Sequence, residues 1–184
     1  FDTIRVTTDE IGVATLTLGR PDKHNAMSGQ MIAELAAAAG LLANDDNVRA
    51  VVLTGEGDSF CAGADLAWMR ALASAARDER IAEARKLAMA LRALNELPKP
   101  LIGRINGQAF GGGLGLMSVC DVVIAADTAK FGFTEVRLGL IPATISPYVL
   151  ARMGEGRARR VFMSGQIFDA HETSGLGLLS PAVP

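Results

Sequence analysis

Cysteine is scarce in this chain: Cys61 and Cys120 are the two in 184 residues, and they lie far apart. Two isolated thiols build no disulfide framework and no C-x-x-C metal pair. They suit a reducing compartment, so a cytoplasmic protein without a metal site is expected. Histidine is as rare, at His24 and His171. That leaves little for a serine–histidine triad, and no G-x-S-x-G elbow is there to carry one. A basic excess is also lacking. Lys and Arg total 18 against 20 Asp and Glu, a net charge of −2, which argues against a nucleic-acid partner. No apolar run reaches the length of a membrane span, so no membrane partner is expected. Phe1 to Glu10 lacks the basic-then-apolar order of a secretion signal.

What is present is a globular composition, 49% hydrophobic and 21% charged, long enough for one domain over residues 1–184 with a real core. Ile4–Thr7 and Val13–Leu18 read as a hairpin around Asp9–Gly12. Ser28 is placed to cap a helix to about Ala43, with Met31, Leu35, Ala39 and Leu42 on one face. Ala50–Thr54, Leu101–Ile105 and Asp121–Ala125 read as buried strands, and Lys130–Phe133 as a short one. One long helix is expected over Leu66–Leu97, ended by Pro98 and Pro100. Shorter helices are expected to Val119, over Ile145–Met153 and Ala158–Met163, and after Asp169. Strand, loop and helix alternate, which points to an α/β fold with parallel strands.

Two glycine-rich loops interrupt this pattern, one around Ser59–Leu66 and one around Asn106–Leu114. Neither is a P-loop, since no Lys-Ser/Thr follows the last glycine, and neither meets G-x-G-x-x-G. Each follows a buried strand and leads into a helix. Small residues let backbone approach a ligand. The first N–H groups of a helix lack partners and favour negative charge. Two such loops facing one another could grip a single oxygen as it becomes an anion.

The segments themselves are more specific. Arg20-Pro21-Asp22-Lys23-His24-Asn25-Ala26 resembles the early R-P-x-x-x-N-A motif of the enoyl-CoA hydratase/isomerase (crotonase) family. Phe60–Leu66 resembles its F-x-A-G-A-D-L motif, and Asn106–Leu114 its N-G-x-A-x-G-G-G motif. Phe131–Pro142 resembles F-x-x-P-E-x-x-L-G-x-x-P. The resemblance implies a crotonase-like spiral of ββα turns and a homotrimer or dimer of trimers. It also implies an acyl-CoA substrate, whose coenzyme A is part of the thioester, and no tightly bound cofactor. It implies further a C-terminal helical segment beyond the point where this chain stops.

By the same resemblance, the N–H groups of Ala64 and Gly112 form an oxyanion hole for the thioester carbonyl, and Glu135 is the general acid/base at the α and β carbons. Lys23, His24, Ala26, Ala62, Ala64, Asp65, Leu66, Ala67 and Gly112 lie along the coenzyme A. Solvated loop tips at Lys23 and His24, and a helix cap at Asp65, are the plainer readings of those side chains. The best-known hydratases carry a second glutamate two residues after the triple glycine, where this chain has Gly115. One glutamate suits a double-bond isomerase. The run Gly-Gly-Gly-Leu-Gly-Leu with Thr134–Pro147, however, looks like the bacterial methylglutaconyl-CoA hydratase-like branch, whose substrates carry a distal carboxylate that Arg137 could meet. The leading expectation is thus an enoyl-CoA hydratase, with an isomerase and a non-catalytic acyl-CoA binder as alternatives.

Overall fold

The computed structural model describes residues 1–180, 182 and 183. Ile4–Thr8 (β1) and Val13–Leu18 (β2) pair antiparallel, from Ile4↔Leu18 to Thr8↔Ala14. Ser28 caps Gly29–Asn44 (α1), its hydroxyl accepting from Met31 N–H at 3.2 Å. The four residues predicted for the buried face of α1 are all buried, with Ile32 and Ala38 beside them.

The chain then winds through three turns of one design. The first contains Ala50–Gly55 (β3), Ser59–Cys61 (β4), Leu66–Ser74 (α2) and Arg77–Asn95 (α3). The second contains Leu101–Ile105 (β5), Gln108–Phe110 (β6) and Gly112–Ser118 (α4). The third contains Val122–Ala125 (β7), Lys130–Gly132 (β8), a 3₁₀ turn at Thr134–Leu138, Ser146–Met153 (α5) and Glu155–Phe162 (α6). Ile167–Asp169 (β9) and Ala170–Gly175 (α7) follow. Each turn gives one strand to a five-stranded sheet ordered β1-β2-β3-β5-β7 and one to a four-stranded sheet ordered β4-β6-β8-β9. Pairing is parallel from β2 through β7 and from β4 through β8. This is the α/β spiral of ββα turns that the resemblance implies. One core fills it, with Leu16, Leu53, Phe60 and Phe131 fully enclosed.

Three expectations need correction. The helix over Leu66–Leu97 is two helices, broken where Ala75 and Ala76 take extended backbone. The two halves have different surroundings. α3 buries Ala90, Leu91 and Leu94, whereas α2 buries none of its residues. Asp78 and Glu79 sit in the first turn of α3, where the helix dipole favours acids. The glycine-rich loops are not wholly loop, since β4 and β6 lie inside them. Finally, β7 is buried on one face only: Val123 and Ala125 are enclosed, while the alternate residues Val122 and Ile124 are 43% and 36% exposed, because no described element covers that face.

Candidate active site

β4 and β6 are short, but their parallel pairing, Ser59↔Gln108 and Cys61↔Ala109, lays the two glycine loops side by side. Both loops leave the carboxyl ends of parallel strands, where folds of this class place ligands. The approach is close enough to require glycine. Gly63 has φ +95°, and a methyl group on it would sit 2.9 Å from Phe110 O and 3.4 Å from Gly112 N. Neighbouring amides are engaged. Ala62 N donates to His24 O at 2.9 Å, Asp65 N to Met27 O at 2.9 Å, and Gly111 N to Gly132 O at 3.0 Å. Within the described residues the N–H groups of Ala64 and Gly112 find no acceptor.

The early motif runs beside the first loop. Met27 bridges to Ala64, and its N–H donates to Gly63 O at 2.7 Å. His24 and Asn25 hold left-handed backbone, φ 49° and 55°, a region costly for most side chains. Asn25 fixes it from inside. Its Oδ1 accepts from Arg20 N at 2.9 Å, and its Nδ2 donates to Glu56 O and Ser59 O at 2.9 and 2.8 Å. Arg20 donates to Ala26 O at 2.6 Å and pairs with Asp65 at 2.9 Å. Asp65 also accepts from Ala67 N at 2.8 Å and Trp68 N at 3.2 Å. Its side chain is therefore the cap of α2, the plainer of its two readings. Burial pushes its pKa up, but the Arg20 guanidinium and the helix amides together hold it below the ordinary carboxylate value. Lys23 and His24 are exposed at the rim, and His24 Nδ1 lies 2.9 Å from Ser59 Oγ.

Glu135 enters from the third turn of the spiral, in the 3₁₀ turn that follows β8. β8 pairs with β6, so that turn lies against the second glycine loop. A methyl group on Gly111 would be 3.2 Å from Glu135 Oε1, so glycine there also clears room for the carboxyl. Glu135 Oε2 is buried and has no hydrogen-bond partner among the described residues. Burial raises the pKa of this carboxyl above its ordinary value, and its own backbone N–H only partly opposes that.

Arg20, Met27, Gly63 and Gly111 border one cleft of about 880 Å³. Lys23, His24, Ala26, Ala62, Ala64, Asp65, Leu66, Ala67, Gly112 and Glu135 all line it. Arg137 does not. Its guanidinium donates twice to Gly165 O, at 3.1 and 2.6 Å. Gly115 is closed off by Ile145, which is 3% exposed. A methyl group on Gly115 would overlap Ile145 Cγ2 and lie 2.9 Å from its Cβ. Sequence reasoning missed Arg20, Asn25 and Asn106 as the groups that hold the loops. Asn106 accepts from Gly55 N at 3.1 Å and donates to Gly57 O at 2.7 Å. Asn106 carried a signal, an amide inside a glycine-rich turn where backbone groups need side-chain partners, whereas Arg20 and Asn25, with Gly19 alone beside them, carried none of that kind.

Known proteins resemble this chain over nearly its whole length. The family model described as enoyl-CoA hydratase/isomerase matches residues 8–184. A Mycobacterium bovis relative, "Probable enoyl-CoA hydratase echA8", is 38% identical over 187 residues, covering 100% of this chain and 70% of its own. The crystal structure of an enoyl-CoA hydratase from Shewanella pealeana superposes with TM-score 0.95 at 39% identity, covering 98% of this chain and 68% of the other. An enoyl-CoA hydratase/isomerase structure from Marinobacter aquaeolei gives TM-score 0.92 at 38% identity, covering 100% and 71%.

Proposed function

The chain belongs to the enoyl-CoA hydratase/isomerase family, and from that premise we propose that it is an enoyl-CoA hydratase, adding water across the double bond of a 2-enoyl-CoA thioester. The observation that carries this is the buried, unpartnered carboxyl oxygen of Glu135 in the same cleft as the unengaged amides of Ala64 and Gly112. In the proposed reaction the thioester carbonyl accepts from those two amides. Glu135, ionised, takes a proton from water as the water oxygen bonds to the β carbon. The π electrons move onto the thioester oxygen, giving an enolate that the amides stabilise. Removing one such donor typically costs about 2.7–4 kcal/mol of barrier. Glu135 then returns the proton to the α carbon. Coenzyme A, as part of the substrate, lies along Ala62 and Leu66–Ala67 with its polar end toward Lys23 and His24.

A second reading, a Δ3–Δ2 enoyl-CoA isomerase, is favoured by Gly115. No second carboxylate stands there, and one base suffices to move a proton between two carbons. A methylglutaconyl-like substrate needs a cation for its far carboxylate. Arg137 is engaged elsewhere, while Arg70 and Arg80 border the cleft. Mass spectrometry of thioesters after incubation with crotonyl-CoA, a 3-enoyl-CoA and 3-methylglutaconyl-CoA tests these readings. Gain of one water on a 2-enoyl substrate supports the hydratase. An unchanged mass with the double bond moved replaces it with the isomerase.

A further inference from the structure

Hydration needs its water held as well as deprotonated. On this protein the place where a second carboxylate could help is a glycine walled off by Ile145. Two threonines border the cleft nearby. Thr134 and Thr144 both line it, both are partly exposed, and neither makes a side-chain hydrogen bond within the described residues. Thr134 stands where the F-x-x-P-E motif has proline, so a hydroxyl takes the place of a ring.

Their placement follows from α4. Glu135 lies against Gly111, at the start of that helix, and Ile145 lies against Gly115, one turn further on. Gly115 N reaches back to Gly111 O at 3.4 Å, closing that turn. Thr134 and Thr144 immediately precede, in sequence, the two residues that make these contacts, which brings both beside the same helical turn. A hydroxyl both donates and accepts, and it can orient a water without carrying a charge.

We propose that the Thr134 and Thr144 hydroxyls hold the attacking water beside Glu135, in the role a second carboxylate would otherwise fill. This rests on the hydratase reading. One water hydrogen goes to Glu135 as the oxygen bonds to the β carbon. The other stays on that oxygen and is held by a threonine oxygen, so the product keeps it as its 3-hydroxyl hydrogen. The threonines neither gain nor lose a proton. They are positioning residues.

The test is steady-state hydration of crotonyl-CoA by wild type, by Thr134→Val with Thr144→Val, and by Thr134→Ser with Thr144→Ser, alongside thermal melting. Valine keeps the shape and removes the hydroxyl. We expect the double valine variant to lose at least about tenfold in kcat with KM within about twofold, and the double serine variant to recover most of the loss. A double valine variant that melts like wild type and retains its kcat overturns the proposal while leaving the hydratase reading intact. An equal loss in the valine and serine variants also overturns it, since it assigns the effect to packing. A wild type that hydrates no 2-enoyl thioester overturns the hydratase reading, and this proposal with it.

Discussion

Glu135 stores a conflict that can be measured. Its carboxyl is buried beside the second glycine loop with one oxygen unpartnered, and burial raises its pKa. Below pH 4.5, its ordinary value, folded and unfolded chains both hold the proton and the conflict is absent. As pH rises, the unfolded chain ionises first and gains, so the folded state loses stability until pH passes the raised folded pKa. Glu135→Gln is therefore expected to melt higher than wild type at pH 7, with the gap closing below pH 4.5. A gap that persists in acid contradicts the assignment. The same shift places the acid limb of kcat/KM above pH 4.5. Asp65 behaves in the opposite way, being a fully used cap. Asp65→Ala should cost about 0.5–2 kcal/mol in denaturant unfolding, and Asp65→Asn less. Glu135 was legible in the sequence because its neighbours form a motif. The structural role of Asn25 was not, because left-handed backbone at a non-glycine residue leaves no local pattern.

Among the elements, α4 and the turn before α5 are fitted to each other. Gly115→Ala should destabilise by about 1–3 kcal/mol through overpacking against Ile145. Adding Ile145→Ala should cost less than the two single changes summed, because one relieves the other. Additive denaturation midpoints would show that the two do not touch. This contact was not readable beforehand. Gly115 looked like a missing glutamate, and nothing in the sequence placed Ile145 over it. Strands were legible wherever apolar runs were long, as at β3 and β5. β4 and β6 span three residues each and sit among glycines, so local propensity hid them, although they are what brings the two loops together. The break in the predicted long helix was hidden for the opposite reason. Ala75 and Ala76 are good helix formers, so nothing in the local sequence marks the break.

For the molecule as a whole, the ββα spiral puts one strand of each turn in either sheet, so residues 22–24, 26–27, 62–67, 111–112 and 135 meet at one cleft though they span most of the chain. The alternation of elements made the α/β class readable, while the second sheet emerges only from the fold. Apolar side chains also remain on the surface near the cleft mouth, with Leu138 60% and Ile141 77% exposed. Such a patch is typically covered by more protein. A trimer or dimer of trimers would do this, and light scattering should then give three or six times the chain mass. A stable monomer would contradict it. The proposed chemistry has Glu135 carry the proton in a reaction held by the Ala64 and Gly112 amides. Its most direct test is turnover of crotonyl-CoA by wild type and Glu135→Gln side by side, with thioester affinity measured by calorimetry. The expected result is a kcat lower by about 10²–10⁴ in the variant with affinity nearly unchanged. Equal turnover in the two proteins, or none in either despite tight binding, would contradict it.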